Sequence, residues 1–433
     1  MQGSELITPA AQPDAQTWAA AQADRLRAHI ADLQRRSPWY RELLAANHMS
    51  ADDLRSLDDL KAFPFTVREQ LEAHNAKFLA VERSAIRDHA TTSGTTGQPV
   101  PLPQTEKDLQ RLALNEANSL RIAGVTASDT VQLMTTIDKR FMAGLAYQMG
   151  VRSIGAAMVR MGPGDAAAQW DAIQRFKPTV LIAVPSFLLR MIGFARENGI
   201  DPRTSSVRRV VCIGEPITTA DLVPNALATR INEGWPIELV STYASTEMCT
   251  ASTERSTASG AVVQHELIHI EVIGDDNQPV PVGTSGEVVA TPFGVEGMPL
   301  LRFRTGDICA WHEGDGPNGY ERRLGPVLGR KQQRLKIKGT TVFPAQVLDA
   351  LAACRQVGSY VAIAERDELG HDRLLVMVDA PVEAEAAVLD VLRAKLRVAP
   401  TIVRADAGRI DTLALPPGAR KPQRFIDRRA TNN

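Results

Sequence analysis

Apolar residues from Ala15 to His48 recur at roughly helical spacing, at Trp18, Ala21, Leu26, Ile30 and Leu33, until Ser37 and Pro38 interrupt the run. This predicts a helical entry segment with a second short helix behind the break. From about Asp88 to Val240 the texture changes. Apolar strand-like runs at Val131–Thr135, Val180–Ala183 and Arg209–Ile213 alternate with amphipathic helical stretches at Ala143–Met149 and Phe187–Glu197. Such alternation predicts a parallel sheet covered by helices. Beyond Val240 short alternating runs are separated by glycine and proline turns, as in HIEVIGDDNQPVPVGTSGEVVAT, where Asp275, Asp276 and Asn277 read as a hairpin-like turn. A β-rich lobe is expected there. The glycine-bounded, highly charged segment GRKQQRLKIKG at 329–339 precedes a fresh α+β pattern. We therefore divide the chain into a large domain over 1–329, a hinge at 330–333 and a small domain over 334–433. The stretches LVPNALATRI and EAEAAVLDVLRAKL read as plain amphipathic helices, and no internal repeat is visible.

A length of 433 residues agrees with more than one domain, because a single hydrophobic core stops growing below that size. A formal net charge of −1 provides no overall field for nucleic acid or an anionic membrane surface. The cysteines, Cys212, Cys249, Cys309 and Cys354, are far apart with no CxxC pair, which argues against a disulfide framework and fits a reducing cytosol. The beginning of the chain lacks the basic and apolar regions of a secretion signal. Thr179 to Ala195, the most apolar stretch, is broken by Pro185, Ser186 and Arg190 and reads as a strand entering a helix rather than a membrane span. The expectation is a soluble, cytoplasmic protein without nucleic-acid or membrane partners.

Residues 91–99 read TTSGTTGQP. Glycines let backbone N–H groups approach a polyphosphate and the hydroxyls add donors, so the run suits phosphate, although such runs also occur as ordinary loops. A P-loop is excluded, since no Gly-Lys-Ser/Thr follows the glycines. Three more segments follow in order: TYASTE at 242–247, RFRTGD at 302–307 and GRKQQRLKIKG at 329–339. With these, the chain resembles the adenylate-forming superfamily of acyl-CoA synthetases, and within it the phenylacetate:CoA ligase branch. The resemblance runs from about Ser37 to Arg429 and includes SPWYRELL, DLKAFPFT at 59–66, FKPTVLIAVPS at 176–186, IGEP at 213–216, GMPLLRFRTGD at 297–307 and TTVFPAQV at 340–347.

The resemblance implies an α/β fold: a large N-terminal domain of layered α/β subdomains plus the β-rich lobe, and a small mobile α+β C-terminal domain. It implies an enzyme that converts a carboxylic acid and ATP to an acyl adenylate and passes the acyl group to coenzyme A. Ser93, Gly94, Thr95, Thr96 and Gly97 would wrap the phosphates, and Glu247 would help to hold Mg²⁺, its other reading being a capping or salt-bridged glutamate. Asp307 would bind the ribose hydroxyls, while Gly214, Glu215, Pro216, Tyr243 and Thr246 would border the nucleotide. Arg330 would reach nucleotide oxygens with its planar fork. In GARKPQRFIDRR the register implies that Lys421 is the catalytic lysine, followed by Arg424, the alternative being a solvated tail lysine.

Departures from the branch pattern are local. The hinge position usually held by Asp is Gln332, with Gln333 after it, which bears on the thioester-forming half-reaction and keeps open a carrier-protein thiol or an amine as acceptor. A catalytically silent binding homologue is the remaining alternative, opposed by the presence together of Glu247, Asp307 and Lys421. Around the acid, TTIDKRFMAGL at 135–145 keeps Phe141 as an aromatic wall, with Gly144 and Ala244 beside it. Asp138, Lys139 and Arg140 read as a solvated turn; an inward Lys139 or Arg140 would instead favour a polar or anionic substituent on the acid. Cys249, His265, Cys309 and His312 stand near positions that hold zinc in some relatives, but the CxCG element is replaced by GDGPNGYERR and zinc is not expected. Relatives are often dimers, though the chain shows no isolated interface signature.

Overall fold

The computed structural model describes residues 14–92, 99–317, 319–337, 339–367, 370–416 and 423–429. The phosphate-loop residues Ser93, Gly94, Thr95, Thr96 and Gly97, together with Lys421, lie outside the described residues.

Helices α1 (Ala15–Arg36) and α2 (Pro38–Ala46) open the fold. Their division follows from local chemistry: Ser37 ends the first, caps the second through its side chain, and places Pro38 at a first-turn position where its missing N–H costs nothing. Short helices α3 (Arg68–Ala73) and α4 (Asn75–Phe78) follow, then the hairpin β1 (Ile86–Thr91) and β2 (Pro101–Thr105), and α5 (Glu106–Ile122). The alternating region runs β3 (Thr130–Leu133), α6 (Met142–Ile154), β4 (Ala157–Arg160), α7 (Ala166–Phe176), β5 (Val180–Ala183), α8 (Pro185–Glu197), β6 (Arg209–Cys212), α9 (Ala226–Gly234) and β7 (Glu238–Ser245). Neighbouring strands in the spatial order β7-β6-β5-β3-β4 are parallel. The pair β4 and α7 escaped the periodicity reading because β4 is a half-exposed edge strand with no continuous apolar run.

At β7 the sheet changes character. It continues antiparallel through β8 (Thr250–Glu254), β9 (Ala261–Val262), β10 (Ile268–Ile273), β11 (Ser285–Pro292), β12 (Phe303–Gly316) and β13 (Gly319–Leu324), with β14 (Gly329–Arg330) paired to β12. This is the expected β-rich lobe. The turn between β10 and β11 forms where anticipated, with Asn277 at φ 64 and the Gln278 N–H donating to Asp276 Oδ1 at 3.0 Å.

A 3₁₀ turn at Lys331–Gln333 leads into β15 (Leu335–Ile337), β16 (Thr340–Val342), α10 (Pro344–Ala352), β17 (Tyr360–Arg366), β18 (Asp372–Val378), α11 (Glu385–Leu396), β19 (Thr401–Arg404), α12 (Ala407–Ala414) and β20 (Phe425–Asp427). These last elements form a sheet of order β19-β18-β17-β20 with helices against it. The architecture is thus α/β with a β-rich lobe and a small α+β unit. Leu227, Ala228 and Ile231 of α9 share one apolar cluster with Val347, Ala350 and Leu351 of α10. The α9 N-terminus is tied to the same helix, the Ala226 N–H donating to Asp349 Oδ1 at 2.8 Å. Among the described residues, no helix is long and apolar enough to cross a membrane.

One close approach positions the site. A Cβ on Gly144 would stand 2.0 Å from the Thr136 carbonyl oxygen, so α6 packs against the segment after β3 only because residue 144 has no side chain. Gly144→Ala is expected to destabilise the protein by about 1–3 kcal/mol through overpacking. A thermal melt shows it as a lower midpoint, and an unchanged midpoint would mean that the two segments part freely.

Candidate active site

A cavity of about 550 Å³ opens between the end of β7, the start of α6, one face of α5 and the start of the small unit. Its wall includes Thr242, Ala244, Ser245, Thr246 and Glu247 from the TYASTE segment, Gly214 after β6, Phe141 and Met142 at the entry to α6, and Arg330 and Gln423 from beyond the lobe.

The turn carrying Glu247 is built from a distance. Arg111 of α5 is buried, and its guanidinium donates to the Leu267 carbonyl at 2.6 Å, to Thr250 Oγ1 at 2.8 Å and to the carbonyls of Cys249 and Phe293. Asn115, one helical turn on, accepts from the Ala251 N–H at 2.9 Å. Cys249 sits at φ 48, so the backbone reverses at once after Met248 and presents Glu247 to the cavity. Glu247 keeps only 11% of its side chain exposed, and its nearest cation is Arg68, at 3.7 Å. Burial raises its carboxyl pKa, while Arg68, Ser245 and Arg330 oppose that rise. Arg68 also donates to Thr92 Oγ1 at 3.3 Å and so stands between Glu247 and the entrance to the 93–98 segment. Sequence reasoning passed over Arg68 and Arg111. Arg68 follows the DLKAFPFT block directly, whereas Arg111 carried no local signal.

A second group forms where β12 and β14 pair, with Asp307 opposite Arg330. Tyr243 donates its hydroxyl to Asp307 Oδ2 at 2.9 Å, and Arg330 Nε lies 3.3 Å from Asp307 Oδ1. Burial and the adjacent Asp307 charge push the Tyr243 phenol well above its usual range, so it serves as a donor at neutral pH. Arg302 anchors the strand behind them. It is fully buried, forms a two-pronged pair with Glu271 at 3.0 and 2.8 Å, and stacks 4.0 Å from the Phe65 ring centroid.

The remaining anticipated residues are dispersed. Glu215 accepts from the Ser186 N–H at 2.8 Å and its hydroxyl at 2.9 Å, capping the start of α8. The Pro216 carbonyl accepts from Asn225 Nδ2 at 2.9 Å. Gly144 faces Thr136 rather than the cavity. Lys139 and Arg140 are exposed, at φ 57 and 59, and border the cavity beside Phe141. Cys249 and His265 have separate surroundings: Cys249 lines the cavity, whereas His265 is half-buried edge-on to Trp18, 5.1 Å between ring centroids. Burial pushes the His265 pKa down to about 3.

At the 3₁₀ turn Lys331–Gln333, Arg429 donates to the carbonyls of Gln332 at 2.6 Å and Arg334 at 2.8 Å and pairs with Asp372 and Asp427. On the other side Asp275 pairs with both Lys331 and Arg334, at 3.1 and 3.3 Å. The substituted glutamine therefore takes part through its backbone, and charged neighbours hold the turn. Gln423, whose N–H donates to the Ala414 carbonyl at 2.7 Å, carries the tail to the cavity wall.

For a metal ion, Glu247 is a suitable hard oxygen donor, and among the described residues no group of three or more His, Cys, Asp or Glu is arranged to hold one. That donor set fits Mg²⁺, which commonly uses one or two carboxylates with phosphate oxygens and water.

The family model described as AMP-binding enzyme matches residues 76–295. A phenylacetate-coenzyme A ligase of Aromatoleum evansii is 30% identical over 372 residues, covering 84% of this chain and 82% of the relative. The Thermus thermophilus enzyme of the same name is 30% identical, with 84% and 82% covered. A solved 2-hydroxyisobutyryl-CoA ligase shares the fold at a TM-score of 0.84 and 21% identity, covering 98% of this chain and 92% of that one. The matched model, the extent of the 30% identity and the ordered motifs around this cavity together show that the chain belongs to the AMP-binding enzyme family, in its phenylacetate-CoA ligase-like branch.

Proposed function

We propose that the protein is an AMP-forming acid:CoA ligase, activating an aryl carboxylic acid with ATP and transferring the acyl group to coenzyme A. The observation that carries the reading is the convergence on one cavity of Glu247, Arg330 and Gln423 with the apolar wall of Phe141, Met142 and Ala146. A chamber that combines an apolar wall with charged and polar groups suits a small aromatic acid whose carboxylate must meet a polyphosphate.

In the first half-reaction the carboxylate oxygen attacks the α-phosphorus and pyrophosphate leaves, giving an acyl adenylate. Phe141 holds the ring of the acid, with Ala244 and Lys139 along the path to the carboxylate. Asp307, braced by Tyr243 and Arg330, receives the ribose hydroxyls, and Thr246 and Gly214 border the nucleotide. The loop of Ser93, Gly94, Thr95, Thr96 and Gly97 takes the departing phosphates, with Arg68 and Thr92 at its base. Glu247 would hold Mg²⁺, which when bound would supply charge neutralisation on the phosphates. In the second half-reaction the coenzyme A thiolate attacks the acyl carbon and AMP departs with the bonding electrons. Exclusion of water protects the mixed anhydride meanwhile.

The test is ATP–pyrophosphate exchange with benzoic, phenylacetic, cinnamic, heteroaromatic and fatty acids, followed by addition of coenzyme A. Acid-dependent exchange and acyl-CoA formation are expected. Exchange without thioester would redirect the acyl group to a carrier-protein thiol or an amine, and silence across the panel would overturn the reading. Asp307→Asn is expected to raise the KM for ATP about 10- to 100-fold, the effect of weakening charge-assisted hydrogen bonds, with a smaller change in kcat. An unaltered KM for ATP would remove Asp307 from the nucleotide site.

A further inference from the structure

Away from Glu247 and Asp307, the cavity is walled by α5 and α6. Most of this wall is apolar, contributed by Leu112, Met142 and Ala146. Glu116 interrupts it. The residue lines the cavity yet is only 3% exposed, and its Oε1 has no hydrogen-bond partner among the described residues. The two helices are pressed together here: a Cβ on Gly150 of α6 would lie 2.7 Å from Glu116 Cβ. Tyr147, one turn before Gly150, is buried and feels the Glu116 charge. Within its own helix Glu116 stands about one turn before Ser119, whose hydroxyl is 2.6 Å from Thr253 Oγ1. Neither Ser119 nor Tyr147 is a cation that could offset an ionised carboxylate. Burial accordingly pushes the Glu116 carboxyl up to about 8.

A buried carboxyl oxygen without a partner is costly, and such groups in folded proteins are satisfied by protein, water or ligand. Among the described residues no cation pairs with this carboxyl, and the Ser119 hydroxyl is already engaged by Thr253. We propose that Glu116 is the specificity-determining hydrogen-bonding group of the acid pocket, and that the substrate is an aryl acid carrying an amino or hydroxyl substituent remote from its carboxylate. The inference rests on the ligase reading and deepens it. A hydroxyl or amino group satisfies the free oxygen in either protonation state of Glu116, because both substituents can donate. A methyl group satisfies it in neither. A protonated amine would in addition ionise the carboxyl and pair with it. Exposed Lys139 and Arg140 stand at the cavity border beside Phe141, whereas the buried ionisable side chains of this wall, Glu116 and Tyr147, are acids, so an anionic substituent is disfavoured there.

The experiment measures kcat/KM for pyrophosphate exchange with matched pairs of acids, amino- or hydroxybenzoic and -phenylacetic acids against their methyl isosteres. It uses the wild type, Glu116→Gln and Glu116→Leu. A site built to hydrogen-bond a substituent discriminates strongly against the analogue lacking it, so a wild-type preference of roughly 100-fold or more is expected. Glu116→Gln keeps a hydrogen-bonding side chain and should retain most of that preference. Glu116→Leu should reverse it toward the methyl acids while leaving the KM for ATP in place. Exchange that favours methyl or unsubstituted acids in the wild type, or an unchanged preference in Glu116→Leu, overturns the assignment. If Glu116→Leu fails to fold, Glu116→Met replaces it under the same criterion. Absence of exchange with every acid would instead overturn the ligase reading. The pocket assignment is then decided by melting-point shifts: donor-bearing acids that stabilise the wild type and not the leucine variant sustain it, and equal shifts refute it.

Discussion

Glu247→Gln is expected to lower acid-dependent pyrophosphate exchange by roughly 100- to 1,000-fold, the range seen when one fixed electrostatic group is removed from a reacting centre. The exchange preserves size and shape and removes one negative charge. Glu247 is held mostly out of water with Arg68 on one side and Arg330 acting from another, so its carboxylate already faces two cations before any ligand arrives. ATP brings several negative charges to the same place. A hard divalent cation on Glu247 would separate those charges from the incoming carboxylate, and the neutral amide holds such a cation far less well. Folding should be unharmed, because burial opposes ionisation of this carboxyl and the amide has no such penalty. The decisive readout is the Mg²⁺ dependence of exchange, with isothermal titration of Mg²⁺·ATP beside it. Wild-type exchange at limiting Mg²⁺ would remove Glu247 from this role.

Lys421→Met should reduce formation of the acyl adenylate by a comparable factor, about 100- to 1,000-fold, while thioester formation from presynthesised acyl adenylate changes less than about 10-fold. Lys421 lies outside the described residues, and the structural argument comes from its neighbour. Gln423 lines the cavity, and the chain after it is tied down: Arg424 donates to the Tyr360 carbonyl at 3.0 Å and β20 pairs with β17. Lys421 stands two residues before Gln423 in the sequence, and Gln423 shares its cavity with Glu247 and Arg330. A cation there stabilises charge that develops as the carboxylate attacks phosphorus, and that charge is absent when a thiol attacks the finished adenylate. Equal losses in both half-reactions would mean that Lys421 serves structure or general binding instead. No loss in either would make it a solvated tail residue.

The two arguments differ in where their information came from. TYASTE, RFRTGD and the Ser/Thr/Gly run were legible as family motifs because each is contiguous and they follow one another in a fixed order. The β/α alternation and the β-rich lobe were legible for a related reason. Periods near 2 and 3.6 are written into any segment that buries one face, and glycine and proline mark where the face ends. The helix Glu106–Ile122 shows the limit. Asp108, Arg111, Asn115, Glu116 and Ser119 recur along it at helical spacing, which by pattern alone reads as a solvated face, yet all five are buried.

What made that polar stripe internal was assembly of parts far apart in the chain. Asp108 accepts from the N–H groups of Glu296 and Gly297, Arg111 gathers carbonyls near 249, 267 and 293, and Asn115 takes the N–H of Ala251. Each partner lies more than 130 residues away, and no local pattern encodes such a pairing. The sequence by itself determined the family and the alternation of strands and helices, since these follow from contiguous motifs and periodic burial. Only the tertiary structure decided which polar side chains are satisfied at a distance and which, like Glu116, line the cavity with an oxygen that no described residue bonds, because burial and partnership are properties of the packed chain.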